Sequence, residues 1–393
     1  MTTDIINGLV FIAVVLARFL VPLAIPRYPL PGIIAALVLD AVDQTIFQQF
    51  TDSDLEGYQS YDKALDVYYL AIAYISTLRN WANQAAFEVG QFLWYYRLIG
   101  VVAFELASLR AMLLIFPNTF EYYFIAISAV RLRWDPMRLT QRHVIGIAAF
   151  IWIVIKLPQE YWIHVAKLDT TDLFKEHVLG VSLDTGWGEA FAQNLWIVPV
   201  VLALVGGGVL LVRWVMAQLP PPDWRLSFNT RFDMPSLSGP VRPAGRQPWF
   251  WLAEKTVLIG LVSVVFVQTL PGVSASLLQI VFAVGVVVVA NSLVSHWFAQ
   301  RGRHWSSVLV EFAVMGAINY VIATLYIVLM PFTDGRTGII QLLFLTLLLT
   351  LIVTLYDHYR PIHDQHVALA AGDEEAGPLD ERGAPGLAVE GRD

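Results

Sequence analysis

Apolar positions in this chain come in long unbroken runs rather than at every second, third or fourth residue. Stretches of about 18 or more mostly apolar residues, enough to cross roughly 30 Å of hydrocarbon, recur from the N-terminus to residue 358. The pattern predicts ten membrane spans, at about 5–25, 31–49, 62–80, 92–116, 143–160, 195–218, 249–270, 273–298, 306–330 and 338–358. Segment 118–132, NTFEYYFIAISAVRL, is too short to cross straight and follows Phe116-Pro117. Its aromatic load predicts an interfacial or re-entrant helix, because Tyr and Trp favour the headgroup level. The expected fold class is therefore all-α: a polytopic membrane helix bundle with one interfacial or re-entrant helix.

Composition agrees with the pattern. Of 393 residues, 57% are hydrophobic and 15% charged, against about a quarter charged in soluble domains. The absence of cysteine excludes disulfides, thiolate metal sites and thiol chemistry. MTTDIING lacks a basic n-region and a cleavage site, so the first apolar run reads as an uncleaved span. Arginines favour segments 131–142, 219–248 and 299–305 and the start of the tail. By the positive-inside rule these are cytoplasmic, which places both termini inside the plasma membrane if there are ten spans. Four regions follow: a polar-rich bundle (1–218), a cytoplasmic Pro/Arg-rich loop (219–248), an apolar four-span bundle (249–358) and an acidic tail (359–393). The tail is expected to be disordered. Residues 361–393 contribute −6 of the net −7, so the remainder is near neutral. The basic loops are too sparse for a nucleic-acid partner; the lipid bilayer is the expected one, and oligomerisation stays open.

Polar residues interrupt the second and third spans in a particular way. In PGIIAALVLDAVDQTIFQQ, a central Asp costs about 2.5–3.5 kcal/mol to insert, while each Leu, Ile, Val or Phe returns about 0.3–0.6. Eight such apolar residues do not offset Asp40, Asp43 and three glutamines. The helix must line a polar cavity or reach partners inside the bundle. Asp40 and Asp43 are spaced i, i+3, and Asp62 and Asp66 i, i+4, so each pair projects from one helical face. Across a short connection the four carboxylates should converge at the cytoplasmic end of a helical hairpin. Such a cluster needs a cation, and Mg²⁺, Mn²⁺ or Ca²⁺ prefer these oxygen ligands.

This stretch resembles the CDP-alcohol phosphotransferases, whose pattern is D-x2-D-G-x2-A-R-x8-G-x3-D-x3-D. The chain reads D-x2-D-Q-x2-F-Q-x8-G-x4-D-x3-D, with Asp40, Asp43, Gly57, Asp62 and Asp66 at the matching positions. The resemblance implies that Asp40, Asp43 and Asp62 hold a divalent cation, Mg²⁺ or Mn²⁺. Asp66 would help hold it or act catalytically, deprotonating the acceptor hydroxyl. The metal would neutralise the diphosphate of a CDP-linked donor as a lipid-linked alcohol attacks. Gln44, Phe47 and Gln48 depart from the family's Gly, Ala and Arg, one residue is added before Asp62, and Asp52, Asp54 and Glu56 add acid to the loop.

Arg97, Glu105 and Arg110 lie in the fourth span, with Arg97 and Arg110 the candidates to bind a phosphate cofactor. Glu160 and His164 have a metal-ligand spacing, but KLPQEYWIHVAKLDTTDLFKEHVLG reads more simply as a surface amphipathic helix. Gly206-Gly207-Gly208 reads as close helix packing, and His296, His304, His358, His363 and His366 as solvated span ends. Three functions are compatible with these residues: a divergent metal-dependent transferase, a transporter or cation-binding membrane protein, and a non-catalytic structural or assembly subunit. A transferase needs basic groups such as Arg97, Arg110 or Arg133 beside the acids. A transporter needs a second access route.

Overall fold

A computed structural model describes residues 2–50, 58–107, 109, 111–166, 173–183, 185–223, 225–230, 248–268, 277–300, 305–329 and 339–372. Among these residues the fold is all helical, with no strand. The helices are α1 (Thr2–Leu20), α2 (Pro29–Phe50), α3 (Tyr58–Asn80), α4 (Gln84–Ala107), α5 (Ala111–Ile115), α6 (Thr119–Arg131) and α7 (Gln141–Phe150). They continue with α8 (Trp187–Gln193), α9 (Ile197–Gln218), α10 (Pro248–Gln268), α11 (Leu277–Gln300), α12 (Trp305–Leu329) and α13 (Ile339–Gly372). Four helical stretches among the described residues are long and apolar enough to cross a membrane: Ala111–Arg131, Gln141–Ile163, Ile197–Gln218 and Leu343–Asp364. By length and composition these helices suit insertion in a membrane.

The centre of the bundle is α3, the least apolar of the expected spans. Every residue from Ala64 to Leu78 except Asp66 is buried. Small residues such as Ala64, Ala71 and Ala73 let neighbouring backbones approach, and α13, α4, α2, α1 and α10 all pack on α3. Tyr74 stacks on Trp94 of α4 at 5.8 Å between ring centroids. Leu258 and Val262 of α10, and Leu348 and Ile352 of α13, belong to the same core as Tyr68 and Ile72. The core thus runs on both sides of segment 219–248. Asn291, Asn319 and Thr350 link α11, α12 and α13 through buried hydrogen bonds of 2.7 and 3.0 Å.

Several boundaries differ from the pattern for identifiable reasons. The expected span 92–116 is instead α4 followed by the short α5. Pro117, which cannot donate a backbone hydrogen bond, then separates α5 from α6. The aromatics of α6 do not mark an interface: Phe120, Tyr123 and Phe124 are buried, and Trp81 packs on Tyr123 and Phe124. After Phe150 the helix of α7 runs on to Val165, widening into π-helical turns at Ile151–Lys156 and Tyr161–Val165. The first part of the expected surface helix, from Lys156, is therefore the end of this extension, with Lys156 and Glu160 buried and Tyr161, Trp162, Ile163 and Val165 exposed. At the C-terminus, α13 continues past residue 358 to Gly372, because Arg360 pairs with Glu254 at 2.6 Å and His363 packs on Phe87 at 4.0 Å. Residues 359–372 are helical where a disordered tail was expected, and His363 is buried rather than solvated; residues 373–393 lie outside the described residues. Among the described residues, no atom comes within 4 Å of where a Cβ on Gly206, Gly207 or Gly208 would sit, so the close packing expected there is not seen among them.

Four connections meet at one face of the bundle. The Asn83 side chain donates to the carbonyls of Pro136 and Leu139, each at 2.9 Å. Asp223 N–H donates to Arg133 O at 2.9 Å, Ser227 N–H to Leu132 O at 3.2 Å, and Thr230 N–H to Arg27 O at 3.2 Å. Segments 26–28, 81–83, 132–140 and 220–230 are therefore neighbours.

Among the described glycines, Gly100 in α4 leaves least room for a side chain. A Cβ there would collide with the Phe116 side chain, whose carbonyl accepts a hydrogen bond from Arg97. Gly100→Ala is expected to cost about 1–3 kcal/mol, the usual penalty for overpacking. Gly146→Ala, with open space around it, should not destabilise. Thermal unfolding of the two variants in detergent measures the contrast.

Candidate functional site

The four aspartates do converge, and the group among them is Arg18 from α1. In α1, Arg18 follows an apolar run, FIAVVLA, that offers it no partner. The helix nevertheless places Arg18 against α2 and α3, with its side chain only 3% exposed. One terminal nitrogen of the guanidinium donates to Asp43 and Asp62. The other donates to Asp40 and Asp66. Each nitrogen therefore joins one residue of α2 to one of α3. This follows from antiparallel packing of an i, i+3 pair on an i, i+4 pair: Asp40 lies level with Asp66 and Asp43 with Asp62. Phe19 stacks on Tyr68 at 5.5 Å, and Tyr68 donates to Phe19 O at 3.0 Å, fixing α1 on α3 beside the pair.

The four acids are not equivalent. The Asp43 side chain is 4% exposed, enclosed with Arg18, whereas those of Asp40, Asp62 and Asp66 are 28%, 40% and 43% exposed. Oxygens of these last three lie within 4.8 Å of one another. Among the described residues, the fully ionised cluster sets four negative charges against one guanidinium, partly shielded from water. Its ligand set is all carboxylate oxygen, the chemistry that hard divalent cations require. The residues present thus fit a divalent cation, with Asp43 committed to Arg18 and the other three facing open space.

Beside Asp40 and Asp66 lies a partly open chamber of about 350 Å³. Two cations line it, Arg97 of α4 and Lys156 of the α7 extension, with Glu105, Glu121 and Glu160. The widened π-helical turns of this extension bring Lys156 and Glu160 onto its buried side; such turns recur at functional sites. Glu121 accepts hydrogen bonds from Tyr69 Oη at 2.7 Å and Asn118 Nδ2 at 2.9 Å. The Lys156 ammonium sits 3.9 Å from Glu121 and 3.7 Å from the centre of the Tyr122 ring. Among the described residues, Arg97 donates one hydrogen bond, to Phe116 O at 3.0 Å, and its enclosed Nε has no partner.

The sequence-predicted residues divide accordingly. Asp40, Asp43, Asp62 and Asp66 come together, and Arg97 lies in the adjoining chamber. Arg110, Gly57, Asp52, Asp54, Glu56, Asp169 and Asp172 lie outside the described residues, as do the side chains of Gln44, Phe47, Gln48 and His164. Arg133 is at the opposite end, where its carbonyl accepts from Asp223. Glu160 is buried at the chamber rather than on a surface helix. Arg18, Lys156 and Glu121 were not selected as site residues from the sequence. A lone cation inside an apolar run, as in VLARF and IVIKL, was the available signal. No family model, curated protein or solved structure matches this chain.

Arg18 is the counter-charge that holds the cluster together. Arg18→Gln removes one member of a buried ionic network and is expected to cost about 3–5 kcal/mol. Millimolar Mn²⁺ should recover part of that loss by replacing the missing charge. Arg18→Lys should not restore wild-type stability, because a point-like ammonium cannot join both pairs as the planar fork does. Thermal unfolding with and without Mn²⁺ reads all three outcomes.

Proposed function

We propose that this chain is a cation-binding integral membrane protein that takes a divalent cation, Mg²⁺ or Mn²⁺, at Asp40, Asp62 and Asp66. The observation that carries this reading is the charge imbalance at a shared site: among the described residues, one guanidinium meets four carboxylates, three of which are partly exposed with oxygens within 4.8 Å of one another. A second positive ion lowers the electrostatic energy of such a cluster, and a divalent ion does so most. The chamber lining favours the same ligand. Its five carboxylates outnumber Arg97 and Lys156, so it attracts cations more readily than the diphosphate of a nucleotide. A cation site coupled to buried ionisable groups is what a cation transporter uses, and that is the activity this reading favours.

The phosphotransferase reading keeps one specific observation in its favour: Arg97 and Lys156 stand beside Asp40 and Asp66. Two cations next to a metal-binding acid set are what a lipid-linked substrate or a nucleotide diphosphate would need. In that case Asp66 would serve as the base, and purified protein would release CMP from a CDP-linked donor in a Mn²⁺-dependent way that Arg97→Gln abolishes.

Titration of Mn²⁺ into purified protein, followed by loss of the free-ion paramagnetic resonance signal, tests the cation site. Asp62→Asn and Asp40→Asn should each raise Kd by roughly tenfold or more, because affinity follows ligand charge. Binding unaffected by both changes, or absent from the wild type, leaves Arg18 as the whole counter-charge and reduces the cluster to a packing device.

A further inference from the structure

The face of the membrane from which the chamber is reached can be read from the helix ends. α4 leaves from Asn83, which is hydrogen-bonded to Pro136 and Leu139. α6 ends at Arg131, and the next residues, Leu132 and Arg133, accept from Ser227 and Asp223. The chain therefore departs from one face along α4 and returns to it along α5 and α6. At 24 residues α4 is about 36 Å long at 1.5 Å per residue, and α5 with α6 makes an apolar stretch of 21 residues, Ala111–Arg131. Each is long enough to traverse the hydrocarbon, so α5 and α6 together form a crossing instead of staying at one interface.

The remaining helices fall into line with this face. The turn after α1 is tied to it by Thr230, whose N–H donates to Arg27 O and whose hydroxyl donates to Pro26 O at 3.2 Å. α3 reaches it at Arg79 and Asn80, both donating to Pro26 O. α7 starts from it at Thr140, and α9 returns to it, followed by Asp223 and its bond to Arg133. Near the start of α10, Glu254 pairs with Arg360 and accepts from Tyr74 at 2.8 Å, placing the end of α13 beside the end of α3. α11 and α12 run antiparallel between them, since Asn291 meets Asn319, and Asn319 meets Thr350. This face holds Arg27, Arg79, Arg131, Arg133, Arg138, Arg142, Arg225 and Arg360; among the described residues, the opposite side contributes Lys63, at the start of α3, and Lys175. Such a bias marks the cytoplasmic side.

We infer that the chain crosses the bilayer eleven times, with its N-terminus outside the cytoplasm, and that the chamber takes its cation from the extracytoplasmic side. The crossings are α1, α2, α3, α4, α5 with α6, α7, α9, α10, α11, α12 and α13. The N-terminus and the α2–α3 hairpin exchange sides relative to the ten-span reading, while everything after Arg131 keeps its side. The chamber is lined by the late residues Phe104 and Glu105 of α4, Leu113 of α5, the first turn of α6 and the late residues Gln159 and Glu160 of the α7 extension. All lie in the half of the bundle away from the arginine face. The identity of the ligand rests on the cation-site reading, but the direction of access does not. Access from outside also separates the two functional readings, because a nucleotide donor made in the cytoplasm would meet the wrong face.

The chain has no cysteine, so single-cysteine variants report position without background. In intact cells, a membrane-impermeant thiol reagent should label Glu176→Cys and Gln159→Cys but spare Ala82→Cys and Met137→Cys until the cells are permeabilised. An N-terminal epitope tag should bind antibody on intact cells. Labelling of Ala82→Cys in intact cells, or a tag detected only after permeabilisation, overturns the eleven-span topology. Labelling of Gln159→Cys only after permeabilisation overturns access from outside. These experiments contain no added divalent cation, so their failure is distinguishable from a failed Mn²⁺ titration.

Discussion

A guanidinium held by four carboxylates inside a hydrocarbon-length bundle sets the terms for α1, α2 and α3. None of these helices is at home in lipid with its charges unpaired. Inserting Asp40 and Asp43 costs more than the apolar residues of α2 return, and Arg18 is comparably costly alone. Packed together, each group supplies what the others lack. The planar fork of arginine suits this role because its two terminal nitrogens meet separate acid pairs at once. The three helices are bound to one arrangement by electrostatics, whereas apolar side chains alone lose no water when they leave lipid for a protein interface.

The same constraint recurs at other levels of the bundle. Glu254, Tyr74, Gln91 and Arg360 form a second buried network, with Lys255 paired to Asp357 at 2.7 Å one position along. Asn291, Asn319 and Thr350 form a neutral one. The first joins helices far apart in sequence and the second three successive ones, and each satisfies polar groups that would otherwise be stranded in hydrocarbon. The acidic cluster differs in degree: it gathers more acids around a single cation. Among the described residues, Arg360 pairs with Glu254 and Asp364 and Lys255 with Asp357, whereas Arg18 alone meets four acids. That excess, rather than burial alone, distinguishes a site from a fastening.

Much of the fold was legible because insertion into a bilayer imposes long apolar runs, and most helices fall where those runs do. The aspartate convergence was legible too, since i, i+3 and i, i+4 spacings flanking a short connection leave two antiparallel helices few other arrangements. Local reading failed where tertiary contacts decide. The aromatics of Thr119–Arg131 resemble an interfacial belt in sequence, yet Trp81, Trp94 and Tyr74 bury them. Residues 359–372 look like the start of a polar tail until Glu254, more than 100 positions away, claims Arg360. Arg18 was visible as an isolated charge, but nothing within α1 says that its partners lie 22 to 48 residues ahead.

The division of labour among the four acids follows from the geometry of the pairs. Asp43 and Asp62 share one nitrogen of Arg18, but only Asp43 is sealed in with it. Asp40 and Asp66 share the other and border the chamber. The guanidinium therefore neutralises the cluster from the side facing α1 and leaves the opposite side negative. It also orders the carboxylates in advance, so an arriving cation meets ligands whose conformational freedom is already restricted, which favours binding. Opposing this, the ion and Arg18 repel each other across a few ångströms. The two effects have opposite dependence on the fork of Arg18: ordering requires its hydrogen bonds, whereas repulsion requires only its charge. A site built this way stays folded when empty and still holds enough negative charge to attract an ion.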